Sequence, residues 1–366
     1  MKTAKPMEII VGLPALSRGP LLDAAIDLDA PVMISASALA SWRKDKGYRT
    51  FERWNTRALD RVANLGVRIN VDSAGYVAMV LRSGYDWTPE SYIFDLCTHR
   101  AIERFSAMDL AVEREVSHDR VGVEDRISRT INLNWRCHRL AIEAGNRDRL
   151  MPVIQGETAT DYIKCFEAIS GLVREGETIG VGSMCRRPTN GPEGSNAIIG
   201  ELHRVLPADV RLHLFGLKSD GAEAASHYGD RIASIDSQAY GMRARFIANE
   251  NRKTDPNFSK SNAFTAGVMR DWYQKQKARL ETPRIFPVQH EIALGEGEKI
   301  GTVLDALESI ARRQILDLIE EGQMDHDQVI GPRFLEEWIA DLTAQLPAGT
   351  SLTDPAPLFQ EQLLAA

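Results

Sequence analysis

The stretch RINVDSAGYVAM (68–79) predicts a short buried strand that ends on the carboxylate of Asp72. A charge at the end of an apolar strand is costly unless it is solvated or paired. For a single strand, the simplest interpretation is that Asp72 and Ser73 cap the following helix, since both residue types are good N-caps. The ends of the other predicted strands decide whether Asp72 does more than this.

Short apolar runs alternate with longer amphipathic segments over about the first 245 residues. Strands are predicted for eight runs, at 8–16, 31–37, 67–72, 104–109, 150–156, 178–184, 210–216 and 231–236. Between the runs, apolar residues recur at helical spacing, which predicts helices at 51–66, 126–146, 158–176 and 195–207. A repeated strand–helix order with short links is typical of a parallel sheet.

The number of these elements favours a closed barrel within an α/β fold. Eight candidate strands in about 240 residues suit a (β/α)8 TIM-type barrel better than an open sheet. No GxGxxG follows an early strand, so the usual sign of a nucleotide-binding open sheet is missing. After a polar break (248–261) the pattern becomes helical, at roughly 259–281, 300–322 and 332–346. We therefore predict a barrel over residues 1–247 and additional C-terminal helices over 248–366 that pack on the barrel or complete it.

Composition narrows the class of protein. The 366 residues are 43% hydrophobic and 26% charged, as in ordinary globular proteins, and the net charge is −7. Any nucleic-acid surface must therefore be a local basic patch. Four cysteines, Cys97, Cys137, Cys165 and Cys185, match neither a zinc motif nor a dense disulfide framework. With no signal-peptide pattern at the start, reduced thiols and a cytoplasmic location are expected.

Polar side chains follow several of the predicted strands. These strand ends carry Asp72, Asp109, Gln155 with Gly156, the turn GVGSM (180–184), LFG (214–216) and Asp236. Because the carboxyl ends of parallel strands meet at one mouth of a barrel, we expect three carboxylates and an amide to converge there. Glycines among them allow a ligand to approach the backbone.

Two carboxylates that face one substrate suit substitution at a sugar C1′, where one attacks and the other moves protons. No His or Cys is expected beside them, which disfavours a hydrolase triad and a His-rich metal site. A mouth of two Asp and one Gln could also hold magnesium, so a metal-dependent barrel enzyme is an alternative.

Six of these stretches resemble motifs of the tRNA-guanine transglycosylases. VDSAGY (71–76) resembles their DSGG(F/Y) motif, SAMDLAVE (106–113) their DECT stretch and PVIQGE (152–157) their IQGG stretch. IGVGSM (179–184) resembles VGGLAVG, LHLFGL (212–217) resembles YLMGVG, and RIASIDS (231–237) resembles the strand that carries the nucleophile. The six occur in the family's order and cover about residues 60–245.

The resemblance implies a (β/α)8 enzyme, a pentosyltransferase, that replaces guanine in a nucleic acid with a 7-deazaguanine base. It implies that Asp236 is the nucleophile at C1′ and that Asp72 is the general acid/base. The base-binding residues that it implies are Asp109, Gln155, Gly182, Ser183, Tyr76, Phe215 and Gly216, with the two aromatic rings stacking on the base.

The chain departs from this family in ways that bear on the substrate. No Cys follows Cys185, so the family's structural zinc subdomain is expected to be absent and no cofactor is expected. AYGMRAR (239–245) stands where the family carries the PTR segment that grips tRNA. This pattern resembles the transglycosylases of phages and genomic islands that act on DNA. DNA is therefore the favoured partner and tRNA the alternative, with helper proteins and a homodimer as further expected associations.

Basic residues near the predicted mouth fit a nucleic-acid partner. Arg186 and Arg187 follow the Gly182 strand, Arg243 and Arg245 follow Asp236, and further basic residues lie at 41–49. Contacts of this kind hold phosphates without reading sequence. A non-catalytic accessory barrel subunit is a second alternative, but it should have lost a catalytic carboxylate, and Asp72 and Asp236 are both present.

Overall fold

The computed structural model describes residues 7–45, 48–82, 84–113, 119–191, 193–281, 302–308, 310–311, 331–344, 346 and 350–354. Contacts between residues divide the chain into two compact units, Met1–Ile285 and Phe286–Ala366. The first unit contains all the strands that the described residues form.

Those strands are β1 (Glu8–Leu13), β2 (Val32–Ser35), β3 (Ala40–Asp45), β4 (Tyr48–Trp54), β5 (Ile69–Asp72), β6 (Ile102–Ser106), β7 (Leu150–Met151), β8 (Val153–Ile154), β9 (Thr178–Val181), β10 (Arg211–Leu214) and β11 (Ile232–Ser237). The helices of the first unit are α1 (Pro20–Asp27), α2 (Thr56–Val62), α3 (Gly75–Arg82), α4 (Arg120–Glu143), α5 (Ala159–Ile169), α6 (Ser195–Val205), α7 (Ser219–Ser226), α8 (Ala239–Thr254) and α9 (Asn262–Glu281).

Nine strands of the described chain form one parallel sheet, in the spatial order β7-β6-β5-β2-β1-β11-β10-β9-β8. Its two outer strands, β7 and β8, are separated in the chain by Pro152 alone, so the sheet nearly closes on itself. Proline has no backbone N–H, which interrupts the pairing at this point. Its carbonyl still accepts a hydrogen bond from the N–H of Gly180, at 2.7 Å. Each of the eight predicted runs contains part of this barrel-like sheet.

The helix predicted at 51–66 is wrong in its first half, because Phe51 and Trp54 lie in the strand β4. The strands β3 and β4 form an antiparallel ribbon between β2 and α2, with Trp42 opposite Phe51. The rings of Phe51 and Trp54 pack 4.8 Å apart, and Trp54 packs 5.0 Å from Trp87. Burial in this aromatic cluster, formed with a distant segment, outweighs the helical spacing of the apolar residues.

Helices cover the outside of the sheet. The last helix of the first unit, α9, packs against helices from both the start and the end of that unit. Helix α9 packs against α1, α7 and α8. Its residues Met269 and Trp272 are buried, and the Trp272 ring lies 5.9 Å from that of Tyr240 in α8. The segment predicted as a helix at 259–281 therefore belongs to the same unit as the strands.

The second unit has its own small apolar core. Residues 303–308 and 310–311 are helical, as is Gly331–Thr343. Val303, Leu307 and Leu342 are buried together in this core. The remainder of the helix predicted at 300–322 lies outside the described residues. Among the helices that the structure describes, none combines the length and the apolar character needed to cross a membrane.

Candidate active site

The predicted strand-end residues lie together at the carboxyl edge of the sheet. Asp72 ends β5 and Asp236 lies near the end of β11, while Asp109 comes three residues after β6 rather than at its end. The carboxylate of Asp72 is close enough to those of Asp109 and Asp236 for both to affect its titration. Gln155 joins this group through a hydrogen bond from its amide nitrogen to Asp109 Oδ2, at 2.5 Å.

The surroundings of Asp72 give its carboxyl group a pKa that suits proton transfer. Its Oδ2 accepts a hydrogen bond from the N–H of Ala74 at 3.1 Å, so the carboxylate does support the turn before α3. Burial, followed by the negative charges of Asp109 and Asp236, raises the pKa of Asp72 from its ordinary value of 3.8 to about 7. A carboxyl group that titrates near neutrality can both give and take a proton at pH 7.

The turn after Asp72 explains how its sequence departs from DSGG. Ala74 adopts a φ of 73°, a left-handed conformation that usually favours glycine. Gly75 has a different requirement, since a Cβ there would lie 2.5 Å from the backbone oxygen of Asp109. The second glycine is therefore needed for close packing, whereas the first position tolerates alanine with some strain.

Asp109 is buried and fixed from both sides. Its Oδ1 accepts a hydrogen bond from Ser73 Oγ at 2.7 Å, while Oδ2 accepts the one from Gln155. Burial raises the pKa of Asp109, and these two hydrogen bonds oppose that rise. The hydroxyl of Tyr85 also donates to the backbone oxygen of Asp109, at 2.8 Å. Asp109 is thus a rigid acceptor rather than a mobile group.

A further carboxyl, Glu113, belongs to this network, although the sequence assigned it no role. Ser183 Oγ lies 2.7 Å from Gln155 Oε1 and 2.8 Å from Glu113 Oε2. One hydroxyl proton cannot serve two acceptors, so a proton on Glu113 completes the arrangement. Burial raises the pKa of Glu113, which favours the same protonated form. The chain from Glu113 through Ser183 therefore fixes the orientation of the Gln155 amide.

Gly182 is fitted closely against this network. A Cβ at Gly182 would overlap the Gln155 amide, so only glycine leaves the amide in place. The backbone oxygen of Gly182 accepts a hydrogen bond from the buried Tyr162 hydroxyl at 2.6 Å. This bond orients the Gly182 peptide at the mouth.

Asp236 lies on the opposite side of the mouth, beside a histidine. Its Oδ1 accepts a hydrogen bond from the N–H of Gly216 at 2.9 Å. His213 Nε2 lies 3.4 Å from the same oxygen, and His213 is fully buried. The expectation that no His accompanies the carboxylates is therefore wrong. The sequence contained a sign of this histidine, because period-two alternation along β10 places His213 on the same face as the predicted site residue Phe215.

A cysteine also lies at this edge, again against expectation. Cys185 donates a hydrogen bond from its Sγ to Glu113, at 3.7 Å. Burial raises the pKa of the Cys185 thiol well above its ordinary value. The thiol therefore stays protonated and is a poor nucleophile. Its Cβ packs against Gly216, where a φ of 64° and the close contact both require glycine.

The two predicted stacking rings lie in different surroundings. The Phe215 ring packs edge-on against His213, with centroids 4.5 Å apart, and occupies the space that a Cβ on Gly180 would need. The Tyr76 ring lies under the guanidinium of Arg186, at 5.6 Å from its centroid.

The predicted basic residues differ in how much of their hydrogen bonding is used within the protein. Arg187 donates to the backbone oxygens of Ser183 and Gly156, at 2.8 and 2.7 Å, and so braces the turn after β9. Arg243 and Arg245 are exposed on α8. Within the described part of the chain, no three His, Cys, Asp or Glu side chains are grouped so as to hold a metal ion.

A nearly closed parallel sheet with carboxylates and an amide at its carboxyl edge is the site architecture of a barrel-type enzyme. The chain belongs to the DpdA family, described as DeoxyPurine in DNA protein A, whose family model matches residues 39–283. This is a family of DNA 7-deazaguanine transglycosylases, which confirms the DNA-acting branch among the expectations. No curated protein matches the chain. The matched residues include every site residue described above.

Proposed function

We propose that this protein exchanges guanine in DNA for a 7-deazaguanine through a covalent bond between Asp236 and C1′. Membership of the DpdA family supports guanine replacement in DNA. The observation that carries the residue roles is the pairing at one mouth of Asp236 with Asp72, whose pKa is raised to about 7. One carboxylate is available for attack while the other carries a transferable proton.

In the first step, an oxygen of Asp236 attacks C1′ of the target nucleotide and the C1′–N9 bond breaks. Its electron pair passes to the departing guanine, which takes a proton from Asp72. In the second step, Asp72 removes the N9 proton of the incoming 7-deazaguanine. N9 then attacks C1′ and releases the Asp236 carboxylate, so the protein is regenerated and the sugar configuration is retained.

The remaining residues bind the base and the strand in this proposal. Asp109 accepts N–H groups of the base, while the Gln155 amide faces its carbonyl oxygen, with Gly182, Ser183 and Gly216 completing the pocket. Tyr76 and Phe215 stack on the flat faces. A duplex must flip its target nucleotide to reach these groups. Arg186, Arg243 and Arg245 are the proposed phosphate contacts, whereas the Arg187 guanidinium is already bonded to the turn after β9.

The fold of this proposal is a (β/α)8 barrel in which β7 and β8 count as one strand interrupted at Pro152, with further helices after it and no zinc subdomain. Helper proteins and a homodimer are proposed associations. The alternative of a tRNA substrate has less support, because the family acts on DNA.

The test compares incorporation of a labelled guanine or 7-deazaguanine into duplex DNA and into tRNA. We expect label in DNA with the wild-type protein and none with Asp72→Ala. The exposed Asp230→Asn variant is the matched control and should retain wild-type labelling. Labelling of tRNA alone, with candidate helper proteins present, would contradict the DNA substrate but leave base exchange intact.

A further inference from the structure

His213 is a buried imidazole with one nitrogen paired and the other directed at Asp236. Its Nδ1 lies 2.8 Å from Ser234 Oγ. Its Nε2 is completely shielded from solvent and makes no hydrogen bond of normal geometry, but lies 3.4 Å from Asp236 Oδ1. An unpaired buried nitrogen is costly, so this placement needs an explanation.

The two neighbours decide which nitrogen carries the proton. The Ser234 hydroxyl can donate to Nδ1, which leaves the proton of a neutral imidazole on Nε2. The opposite tautomer would place a lone pair against the Asp236 carboxylate. The Nε2–H therefore points at Oδ1, the same oxygen that accepts the N–H of Gly216.

We propose that His213 is a positioning residue that assigns different tasks to the two oxygens of Asp236. This inference rests on the proposed function. Two N–H groups face Oδ1, that of Gly216 at 2.9 Å and that of His213 at 3.4 Å, so Oδ2 is the oxygen that bonds to C1′. When the ester breaks, negative charge returns to the carboxylate, and the Nε2–H contact shortens as that charge develops. His213 thus speeds departure of Asp236 in the second step.

The test follows the covalent DNA adduct in single-turnover reactions. We expect His213→Leu to lower kcat by on the order of 100-fold, to accumulate adduct, and to lower the KM for DNA in parallel, so that kcat/KM for DNA is unchanged. His213→Gln, which keeps an amide N–H near the position of Nε2, should restore most of the rate. Met33 and His213 both line one small cavity, so Met33→Leu is the matched packing control and should resemble wild type.

Wild-type kcat without adduct in His213→Leu would overturn the role, as would equal loss in a folded His213→Gln protein. The nitrogen-15 NMR spectrum of labelled histidine tests the pairing without any activity. We expect an Nε2–H tautomer for His213 whose signals shift in Asp236→Asn, and an Nδ1–H tautomer would overturn the proposal. Failure of the wild type to exchange bases would count instead against the proposed function.

A separate observation concerns the ribbon formed by β3 and β4. It leaves the sheet at the end of β2, the same edge at which β5 ends on Asp72. Its apolar face packs on Trp87, which lies 5.4 Å from the ring of Tyr85. The Tyr85 hydroxyl oxygen lies 2.8 Å from Ser73 Oγ and donates to the backbone oxygen of Asp109. The ribbon is therefore tied to the mouth through a continuous set of rings.

The other face of the ribbon is exposed and basic. Arg43 pairs across the ribbon with Thr50, and Ser41 with Arg53, and both arginines are exposed. Residues 40–54 contain five basic and two acidic side chains, a net charge of +3 in a chain of −7. A two-stranded ribbon fits the major groove of DNA, and cationic side chains on it neutralise phosphates.

We infer that this ribbon binds duplex DNA beside the flipped nucleotide, a surface that deepens the proposed function. Charge reversal in Arg43→Glu/Arg53→Glu should weaken duplex binding by about tenfold or more and reduce the salt slope by up to about two. Arg139→Glu/Lys164→Glu, on the exposed faces of α4 and α5, is the matched control. Unchanged affinity and salt slope in the ribbon variant would overturn the inference. This binding assay gives its answer whether or not base exchange occurs.

Discussion

The two sides of the mouth are built differently. On the side of Asp109, side chains and backbone form a dense network in which Gln155, Ser183 and Glu113 fix one another. On the side of Asp236, one backbone N–H and a histidine at 3.4 Å are the contacts to the carboxylate oxygen Oδ1. The difference suggests a rigid surface for reading the base and an adjustable group for the covalent step, since bond formation at Asp236 requires small movements.

The strongest test of this division removes the reacting group. Asp236→Asn should lower base exchange by roughly 10⁴-fold or more, because an amide cannot form the C1′ ester. Binding of the free base should be unchanged, since the network around Asp109 remains intact. Isothermal titration with the base and single-turnover exchange on DNA measure the two effects. Wild-type exchange by folded Asp236→Asn would remove Asp236 from its role.

A second test damages the reading side alone. Gly182→Ala places a methyl group where the Gln155 amide lies, so the amide must rotate away from Asp109. We expect the KM for the free base to rise about tenfold or more, as for loss of a buried hydrogen bond. Gly267→Ala is the control, because a Cβ there meets nothing within 4 Å. An unaltered KM in Gly182→Ala would show that the network does not read the base.

The raised pKa of Asp72 predicts a smaller effect, on stability. The folded protein holds this proton more tightly than the unfolded chain, so stability is lost as pH rises from about 4 through about 7. Asp72→Asn removes that loss and should raise the free energy of unfolding at pH 8 by about 1–3 kcal/mol. This is less than the full pKa shift would give, because Asp72 is only half-buried and solvent screens its charge. The gain should disappear below about pH 4.

Urea unfolding at pH 4 and pH 8 measures this difference. Asp230→Asn, at an exposed position, is the control and should show no pH-dependent gain. A gain of equal size for Asp72→Asn at both pH values would mean that the pKa of Asp72 is not raised by its surroundings.

The smallest expected effect is that of metal removal. We predict no structural zinc, so incubation with a chelator should change neither the exchange rate nor the unfolding temperature. Elemental analysis of the purified protein provides an independent measurement. One equivalent of tightly bound zinc would contradict the prediction and would point to residues outside the proposed mouth.

Local patterns predicted the strands well and the ribbon poorly. The apolar runs that lead to Asp72, Gln155 and Asp236 are strands because consecutive apolar residues can be buried on both faces of a covered parallel sheet. Phe51 and Trp54 also fit a helical face, and only contact with Trp87, far along the chain, placed them in β4.

The sequence by itself determined which residue types follow the strands, and therefore that carboxylates and an amide would meet at one edge. Tertiary structure alone decided which of these groups touch. His213 lies beside Asp236 because β10 and β11 are neighbours in register, and Glu113 reaches Ser183 across 70 residues of chain. The pKa of Asp72 likewise depends on burial and on charges brought close by the sheet, and neither can be read from local sequence because both arise from long-range packing.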